Sequence, residues 1–227
     1  MQKTYGSGIP AAKDALRLED VGYSYRDAES SPVLAGVNAT FKKGAMYAIT
    51  GPSGSGKTTL LSLLAGLDRP SRGRVLFEGR DIRDIGLLEY RRKAMALVFQ
   101  SYNLIDYLTV RENVLLGGDC DADELLSLVG IDPELRNRGV LKLSGGQQQR
   151  VAIARALAGS STVLLADEPT GNLDEETEDS VIEVLQRCAH DEGKCVVVVT
   201  HSGRVAAAAD EVVELERINH PRSFSDR

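Results

Sequence analysis

Gly51-Pro52-Ser53-Gly54-Ser55-Gly56-Lys57-Thr58 follows the spacing G-x-x-x-x-G-K-[ST] in full. That spacing suits the phosphates of a nucleotide. Glycines let successive backbone N–H groups turn inward around phosphate oxygens, and a helix opening near Lys57 adds the positive end of its dipole. Lys57 would reach the β and γ phosphates, and the hydroxyl of Thr58, with Thr59 beside it in the cradle, suits Mg²⁺. The context the pattern requires is present: an apolar run precedes it, and Leu60, Leu61 and Leu64 follow at helical spacing.

A second group lies at the end of another apolar run, where Val163-Leu164-Leu165-Ala166 leads into Asp167-Glu168. Acids at the C-terminal end of a buried strand stand where α/β sheets bind ligands. Asp167 would hold Mg²⁺, usually through water, and Glu168 would face the γ-phosphate side and polarise an attacking water. A positioned general base contributes roughly 10²–10⁴ in rate. The plainer reading is a solvated acid pair ahead of Pro169.

A third group, Leu143-Ser144-Gly145-Gly146-Gln147, precedes a helix. Ser144-x-x-Gln147 is a capping-box pattern, so Ser144 could simply cap its own helix. The same geometry also exposes glycine N–H groups at a positive helix end, which suits a second phosphate contact. One ATP already has its cradle at residues 51–58. A second phosphate-binding helix end in so small a chain therefore points to ATP shared between two copies.

These groups need a scaffold that brings them together. Leu16 to Tyr25 alternates loosely, as an exposed strand would. Val33, Ala35, Val37, Ala39 and Phe41 repeat with period 2 as far as the turn Lys42-Lys43-Gly44, and a strand from Arg74 to Glu78 ends at Gly79. The first third thus predicts an antiparallel β layer. The runs Tyr47–Thr50, Ala96–Phe99, Thr162–Ala166 and Cys195–Thr200 do not alternate cleanly, which predicts parallel strands covered on both faces. Helices are predicted over Thr58–Leu67, Gly145–Ala158 and Glu175–Ala189. Ser101 to Leu143 interrupts the alternation as a small helical insertion, with a helix at Asp123–Val129 and another starting at Asp132-Pro133. The expected organisation is a loose lead-in at 1–14, a folded domain at 15–217 with a helical subdomain at about 101–158, and a polar tail at 218–227.

From about Leu16 to Arg217 the chain resembles the ATP-binding subunit of an ABC transporter. The Walker A motif at 51–58, the Leu143–Gln147 signature and the Walker B acids together carry the resemblance. It implies an α/β fold: a P-loop NTPase core with a mainly parallel sheet, an N-terminal antiparallel β subdomain and a small helical insertion. It further implies that Gln100 is the Q-loop glutamine, a Mg²⁺ ligand and coupling sensor, and that His201 is the switch histidine near the γ-phosphate. Asn172-Leu173-Asp174 would be the D-loop that touches the opposite subunit. Tyr25 would stack on adenine, with Tyr23 as its close competitor. Read without the resemblance, Gln100 is an ordinary loop residue, His201 a satisfied buried histidine, and either tyrosine plain strand packing.

Residues 167–174, with Gln147-Gln148-Gln149-Arg150, are similar to the branch of lipoprotein-releasing, macrolide-export, antimicrobial-peptide and cell-division ATPases. Asn113 to Leu143 is shorter than that branch leads one to expect, and this stretch carries part of the surface facing the membrane partner. The implied activity is ATP hydrolysis by a homodimer closed around two ATP. It would power an integral-membrane permease in export or extrusion of a peptide, lipid, lipoprotein or drug. A force-transmitting regulatory ATPase of the cell-division type and a soluble assembly-factor ATPase are the other readings.

Composition narrows the classes further. The chain has 227 residues, 42% of them apolar and 26% charged, which excludes a mostly disordered or fibrous protein. A net charge of −6 argues against a nucleic-acid binder and against a polybasic membrane anchor. Cys120, Cys188 and Cys195 form no CxxC pair, which points to free thiols in a reducing compartment, and Cys188, His190 and Cys195 fit no common zinc spacing. No apolar run approaches the roughly 20 residues that span a bilayer, and Met1–Asp14 lacks the apolar core of a secretory signal. The expected location is the cytoplasmic face of the membrane, reached through a partner.

Overall fold

In the computed structural model, which describes residues 13–25, 32–171 and 173–219, the four apolar runs fall on one parallel sheet. Most of the expected lead-in (1–12), Asn172 of the D-loop and most of the tail (220–227) lie outside the described residues. Strands β1 (Asp14–Tyr23) and β2 (Leu34–Lys42) pair antiparallel. Strand β3 (Ala45–Thr50) leads through the glycine-rich loop into helix α1 (Lys57–Leu64). Strands β4 (Arg72–Phe77) and β5 (Arg80–Asp81) complete an antiparallel sheet of order β2-β1-β4-β5. Short helices α2 (Ile82–Ile85) and α3 (Leu87–Lys93) precede β6 (Met95–Val98). Helices α4 (Val110–Leu115), α5 (Ala122–Leu128) and α6 (Gly145–Leu157) then come before β7 (Val163–Asp167). Helix α7 (Glu175–His190), β8 (Cys195–Val199), α8 (Gly203–Ala208), β9 (Glu211–Glu214) and α9 (Leu215–Ile218) follow. The second sheet has the order β6-β7-β8-β3-β9 and is parallel throughout.

Strand residues point alternately to the two faces of a sheet, and here the two faces feed separate cores. Tyr47, Ile49, Val163, Leu165, Val197 and Val199 pack with residues of β1, β2, β4 and α1. Met46, Val98, Leu164, Ala166, Val196 and Val198 pack with residues of α4 to α7. The strands are therefore apolar at successive positions, as a doubly covered sheet demands. Burying a Val, Leu or Ile side chain is worth about 1.5–3 kcal/mol, so a charged residue within Val196–Val199 would be costly on either face.

Several boundaries differ from the predicted ones for local reasons. Strand β1 ends at Tyr23, where its pairing with Leu34 of β2 stops, so Tyr25 leaves the sheet. Helix α1 ends at Leu64 rather than Leu67. Gly66 adopts a left-handed φ of 62°, its N–H donates to Leu63 O (3.0 Å), and the Leu67 N–H donates to Ser62 O (3.0 Å), a Schellman-type closure. Asp132-Pro133 opens only one 3-10 turn, Pro133–Leu135. Helix α4 was not expected, although Thr109 and Glu112 form a complete capping box at its start. Strand β9 was also not expected; Val212 and Val213 stand between glutamates, and the strand pairs at the open edge of β3.

The carboxyl end of α1 is held from α3. Tyr90 is fully buried, and its hydroxyl donates to Leu64 O at 2.7 Å, satisfying one of the carbonyls a helix leaves unpaired at its end. Tyr90→Phe should lower stability by about 1 kcal/mol, seen as a lower urea midpoint with an unchanged slope. An unchanged midpoint would show that this bond does not hold the helix end.

Candidate functional site

The parallel register sets Ile49 of β3 beside Val199 of β8, and Val199 beside Asp167 of β7. Neighbouring strands lie about 4.8 Å apart, so the loops leaving β3, β8 and β7 emerge side by side. A cavity of about 610 Å³ lies at this edge, a size that suits a small ligand. Its lining brings together Ser53, Gly54, Gly56, Lys57, Thr58 and Thr59 of the cradle. Gln100, Asp167, Glu168, His201 and Tyr25 line the same cavity.

The cradle wraps a cation. Lys57 is 6% exposed, and its ammonium donates to Gly51 O (2.8 Å) and Pro52 O (3.0 Å) and lies 3.2 Å from His201 Nε2. An ammonium has three donors, and these three atoms lie within its reach; an entering phosphate oxygen would exchange such contacts for charge-assisted bonds. Gly56, the N-cap of α1, has φ 98°, and a Cβ there would stand 2.9 Å from Val33 Cγ1. Only glycine meets both demands. Ser55 Oγ is buried without a hydrogen-bond partner inside this loop, a hydroxyl that a phosphate oxygen would satisfy.

The acids sit opposite. The Asp167 carboxyl lies above the usual range because of burial first and the charge of Glu168 second, with Thr58 and Lys57 acting in the opposite direction. Thr58, Gln100 and Asp167 thus offer a few hard oxygen donors beside the phosphate cradle, a set that fits Mg²⁺ completed by phosphate oxygens and water. Glu168 has a left-handed φ of 46°, a conformation that costs a non-glycine residue about 1–3 kcal/mol. Its N–H donates to Val199 O (2.9 Å), and its Oε2 accepts the His201 N–H (3.1 Å). The His201 ring lies 3.6 Å from Glu168 Oε1 and its side chain is 52% exposed, so His201 is not a satisfied core histidine.

Tyr25 is 56% exposed, meets Thr59 Oγ1 through its hydroxyl at 3.2 Å, and lies edge-on to Tyr23 with ring centroids 5.3 Å apart. Tyr23 is buried, with its hydroxyl bonded to Asp68, and does not line the cavity. Of the two, Tyr25 has the accessible ring. Val33 and Val199 also line the cavity; no motif in the sequence marked either one.

Two groups of predicted site residues do not line this cavity. Ser144 caps α6 reciprocally with Gln147: the Gln147 N–H donates to Ser144 Oγ (3.3 Å) and the Ser144 N–H to Gln147 Oε1 (2.9 Å). Ser144 thus caps its own helix within one chain, and Gly145 and Gly146 form the first turn behind the cap. Asp174 likewise caps α7, accepting from the Thr177 N–H (3.0 Å) and hydroxyl (2.9 Å), bonds that hold its carboxyl below the usual range.

The raised proton affinity of Asp167 has a measurable consequence. A carboxyl whose pKa is higher in the folded state than in the unfolded chain binds its proton more tightly when folded, so its ionisation destabilises the fold. That penalty is absent at low pH, grows as pH rises through the unfolded and folded values, and is complete near neutrality. Asp167→Asn should therefore melt at a higher temperature than the parent at pH 7 without nucleotide or divalent ions. The gap should narrow as pH falls into the carboxylate range. A variant less stable than the parent at pH 7 would contradict the assignment.

The ABC transporter family profile matches residues 34–171. The lipoprotein-releasing system ATP-binding protein LolD 1 of Rhodopseudomonas palustris is 40% identical over 218 residues, covering 89% of this chain and 96% of that protein. The macrolide export ATP-binding/permease protein MacB of Syntrophobacter fumaroxidans is 40% identical over 218 residues, covering 89% of this chain and 30% of that protein. Both names belong to the branch that residues 147–150 and 167–174 resemble. Among solved structures, the dimeric post-hydrolysis state of the ATP-binding cassette MJ0796 bound to ADP and Pi, from Methanocaldococcus jannaschii, aligns with a TM-score of 0.80. That pair is 35% identical, covering 93% of this chain and 100% of the other. Sequence likeness along nearly the whole length and a shared fold lead to one conclusion: this chain belongs to the ABC transporter family, as one of its ATP-binding cassettes.

Proposed function

We propose that this ATPase works as two head-to-tail copies closed around two ATP, powering an integral-membrane permease. The observation that carries the reading is a division within one chain. A single cavity collects the cradle, Gln100, Asp167, Glu168, His201 and Tyr25, while Ser144–Gln147 stands outside it at the N-terminus of a 13-residue helix. A second copy would bring its own Ser144, Gly145, Gly146 and Gln147 to the triphosphate held by the first, under two-fold symmetry. The MJ0796 cassette, described as dimeric with ADP and Pi, supports that arrangement.

Each side chain then has a task. Gly51 to Thr59 encloses the phosphates, Lys57 pairs with the β and γ oxygens, and Tyr25 stacks on adenine. Thr58, Gln100 and Asp167 would hold Mg²⁺, which when bound would neutralise charge on the phosphate oxygens. Glu168 orients water and accepts its proton, held in place by the His201 N–H. His201, whose Nε2 lies 3.2 Å from the Lys57 ammonium, meets the γ-phosphate. Asp174 touches the opposite copy. Moving the pair from 1:99 open to 99:1 closed needs about 5.5 kcal/mol. Divided over two ATP, that is roughly 2.7 kcal/mol each, within reach of a few charge-assisted hydrogen bonds. Hydrolysis then removes the joint and the pair reopens.

The permease would meet the helical part of the chain, residues 101–158, near Gln100–Leu108. A groove of about 710 Å³ lined by Phe99 to Leu104 adjoins the site through Gln100 and Asp167, and Tyr107 beside it is 88% exposed. Arg155 of α6 donates to the carbonyls of Asn103 (2.5 Å) and Tyr102 (2.9 Å), tying this loop to the helix that Ser144 caps. No helix among the described residues is long and apolar enough to cross a membrane, so attachment at the cytoplasmic face would run through the partner. The likeness to LolD and MacB supports export or extrusion of a lipoprotein or drug, with a lipid or peptide as the other candidates, and the net charge of −6 gives no support to nucleic-acid binding.

Glu168→Gln should bind ATP, accumulate as an ATP-bound dimer on size exclusion, and hydrolyse at least about 10²-fold more slowly. Normal turnover by this variant would remove Glu168 from the reaction.

A further inference from the structure

His201 is presented to the cavity by the three-residue link between β8 and α8, Thr200 to Ser202, and that link is anchored from outside the site. Ser202 follows His201 directly. Its Oγ accepts the N–H groups of Arg204 (3.1 Å) and Val205 (3.3 Å), which caps α8, and gives its one proton to Glu178 Oε1 at 2.6 Å. Glu178 is 9% exposed and has no part in the chemistry described above. Its other oxygen lies 3.5 Å from Arg204 Nε, and Arg204 also pairs with Asp179 and Glu175. Glu178 sits one turn into α7, with its N–H donating to the carbonyl of Asp174 at 2.8 Å. Hydrogen bonds therefore run from Asp174 through Glu178 to Ser202, and Ser202 is joined to His201 by the peptide bond.

We propose that Glu178 is a positioning residue: its bond to Ser202 sets where the His201 ring lies in the cavity and ties that ring to the turn of α7 that Asp174 caps. Resting on the two-copy reading above, the link makes contact by the second copy at Asp174 felt at His201. A carboxylate suits the task because it accepts a short, strong bond from the hydroxyl, and its burial holds the geometry against water. A displacement of an ångström at a reacting group can cost about 10²-fold in rate, so a small slackening of this link is enough to matter. If the cluster only fastened α8 to α7, the Arg204 pairs would serve as well as the Glu178–Ser202 bond. The two roles predict different variants to fail.

The test compares Glu178→Ala, Glu178→Gln, Ser202→Asp and Arg204→Ala in the full chain. Gln keeps an oxygen to accept the Ser202 proton; Asp at 202 keeps the cap of α8 but has no proton to give and meets a like charge. Glu178→Ala and Ser202→Asp should lower kcat on the order of 10–100-fold with KM for ATP unchanged. Glu178→Gln and Arg204→Ala should stay within about threefold of the parent. The imidazole NMR signals of His201 should move in the first two variants and stay in the last two. The proposal is overturned by an unmoved His201 ring in Glu178→Ala and Ser202→Asp, or by Arg204→Ala matching Glu178→Ala in both readouts. It is equally overturned by kcat and KM worsening together. Ser202→Asp answers alone if Glu178→Ala does not fold. A parent that fails to hydrolyse ATP, with His201 still shifting in Glu178→Ala, would refute the ATP mechanism and leave the positioning role standing.

Discussion

Parallel strands end together, and the alignment of Ile49, Val199 and Asp167 across three neighbouring strands decides where the charges of this protein meet. The glycine-rich loop leaves the first strand, His201 the second, and the two acids the third. Helix α1 starts at the same edge, so its positive end and the Lys57 ammonium face the same space. The rest of the fold serves this edge. One core packs the antiparallel sheet and α1 beneath it, the other packs α4 to α7 on the opposite face, and Tyr90 holds the far end of α1. Because both faces of the sheet are buried, the strand ends have little freedom to shift.

The charges collected there are deliberately unequal in their satisfaction. Lys57 has three polar atoms within reach of its ammonium, whereas burial first and the charge of Glu168 second raise the proton affinity of Asp167. An acid pair in that condition favours a cation, and a cation beside a phosphate cradle favours a nucleotide. Binding and chemistry thus draw on one electrostatic imbalance. Glu168 carries backbone strain as well, and it keeps that strain because the Val199 carbonyl and the His201 N–H fix it from two sides. Strain held by neighbours at a carboxylate that lines a cavity is a common mark of a pre-arranged site.

Much of this was legible in the residues. The cradle spacing, the acids after an apolar strand and the doubly buried runs pointed directly to the sheet and to what lies at its edge. Family likeness was needed for Gln100, His201 and Tyr25, since a lone glutamine, histidine or tyrosine has no local signature. Of the two tyrosines, Tyr25 has the accessible ring, because β1 loses its partner two residues early. What stayed hidden has a physical reason. Ser202 and Glu178 stand 24 residues apart, on a loop and a helix whose docking no periodicity records. Helix α4 carried a readable capping box that a stretch of mixed polarity obscured. For Ser144, a capping box and a phosphate-binding turn share one pattern. The cap exists in a single chain, and the phosphate contact needs a second one.

The central claim is that each nucleotide is held jointly by two copies, with the cradle of one and the capped helix of the other. It is tested most directly by mixing two defective chains, Lys57→Ala and Ser144→Arg, each with Glu168→Gln to hold ATP, and counting the nucleotide retained. In a mixed pair, one junction carries both lesions and the other carries none. The account predicts that neither variant alone retains ATP in a dimer and that the mixture retains about one ATP per pair. If the mixture retained no more than the separate variants, the site would lie within one chain and the account would be wrong.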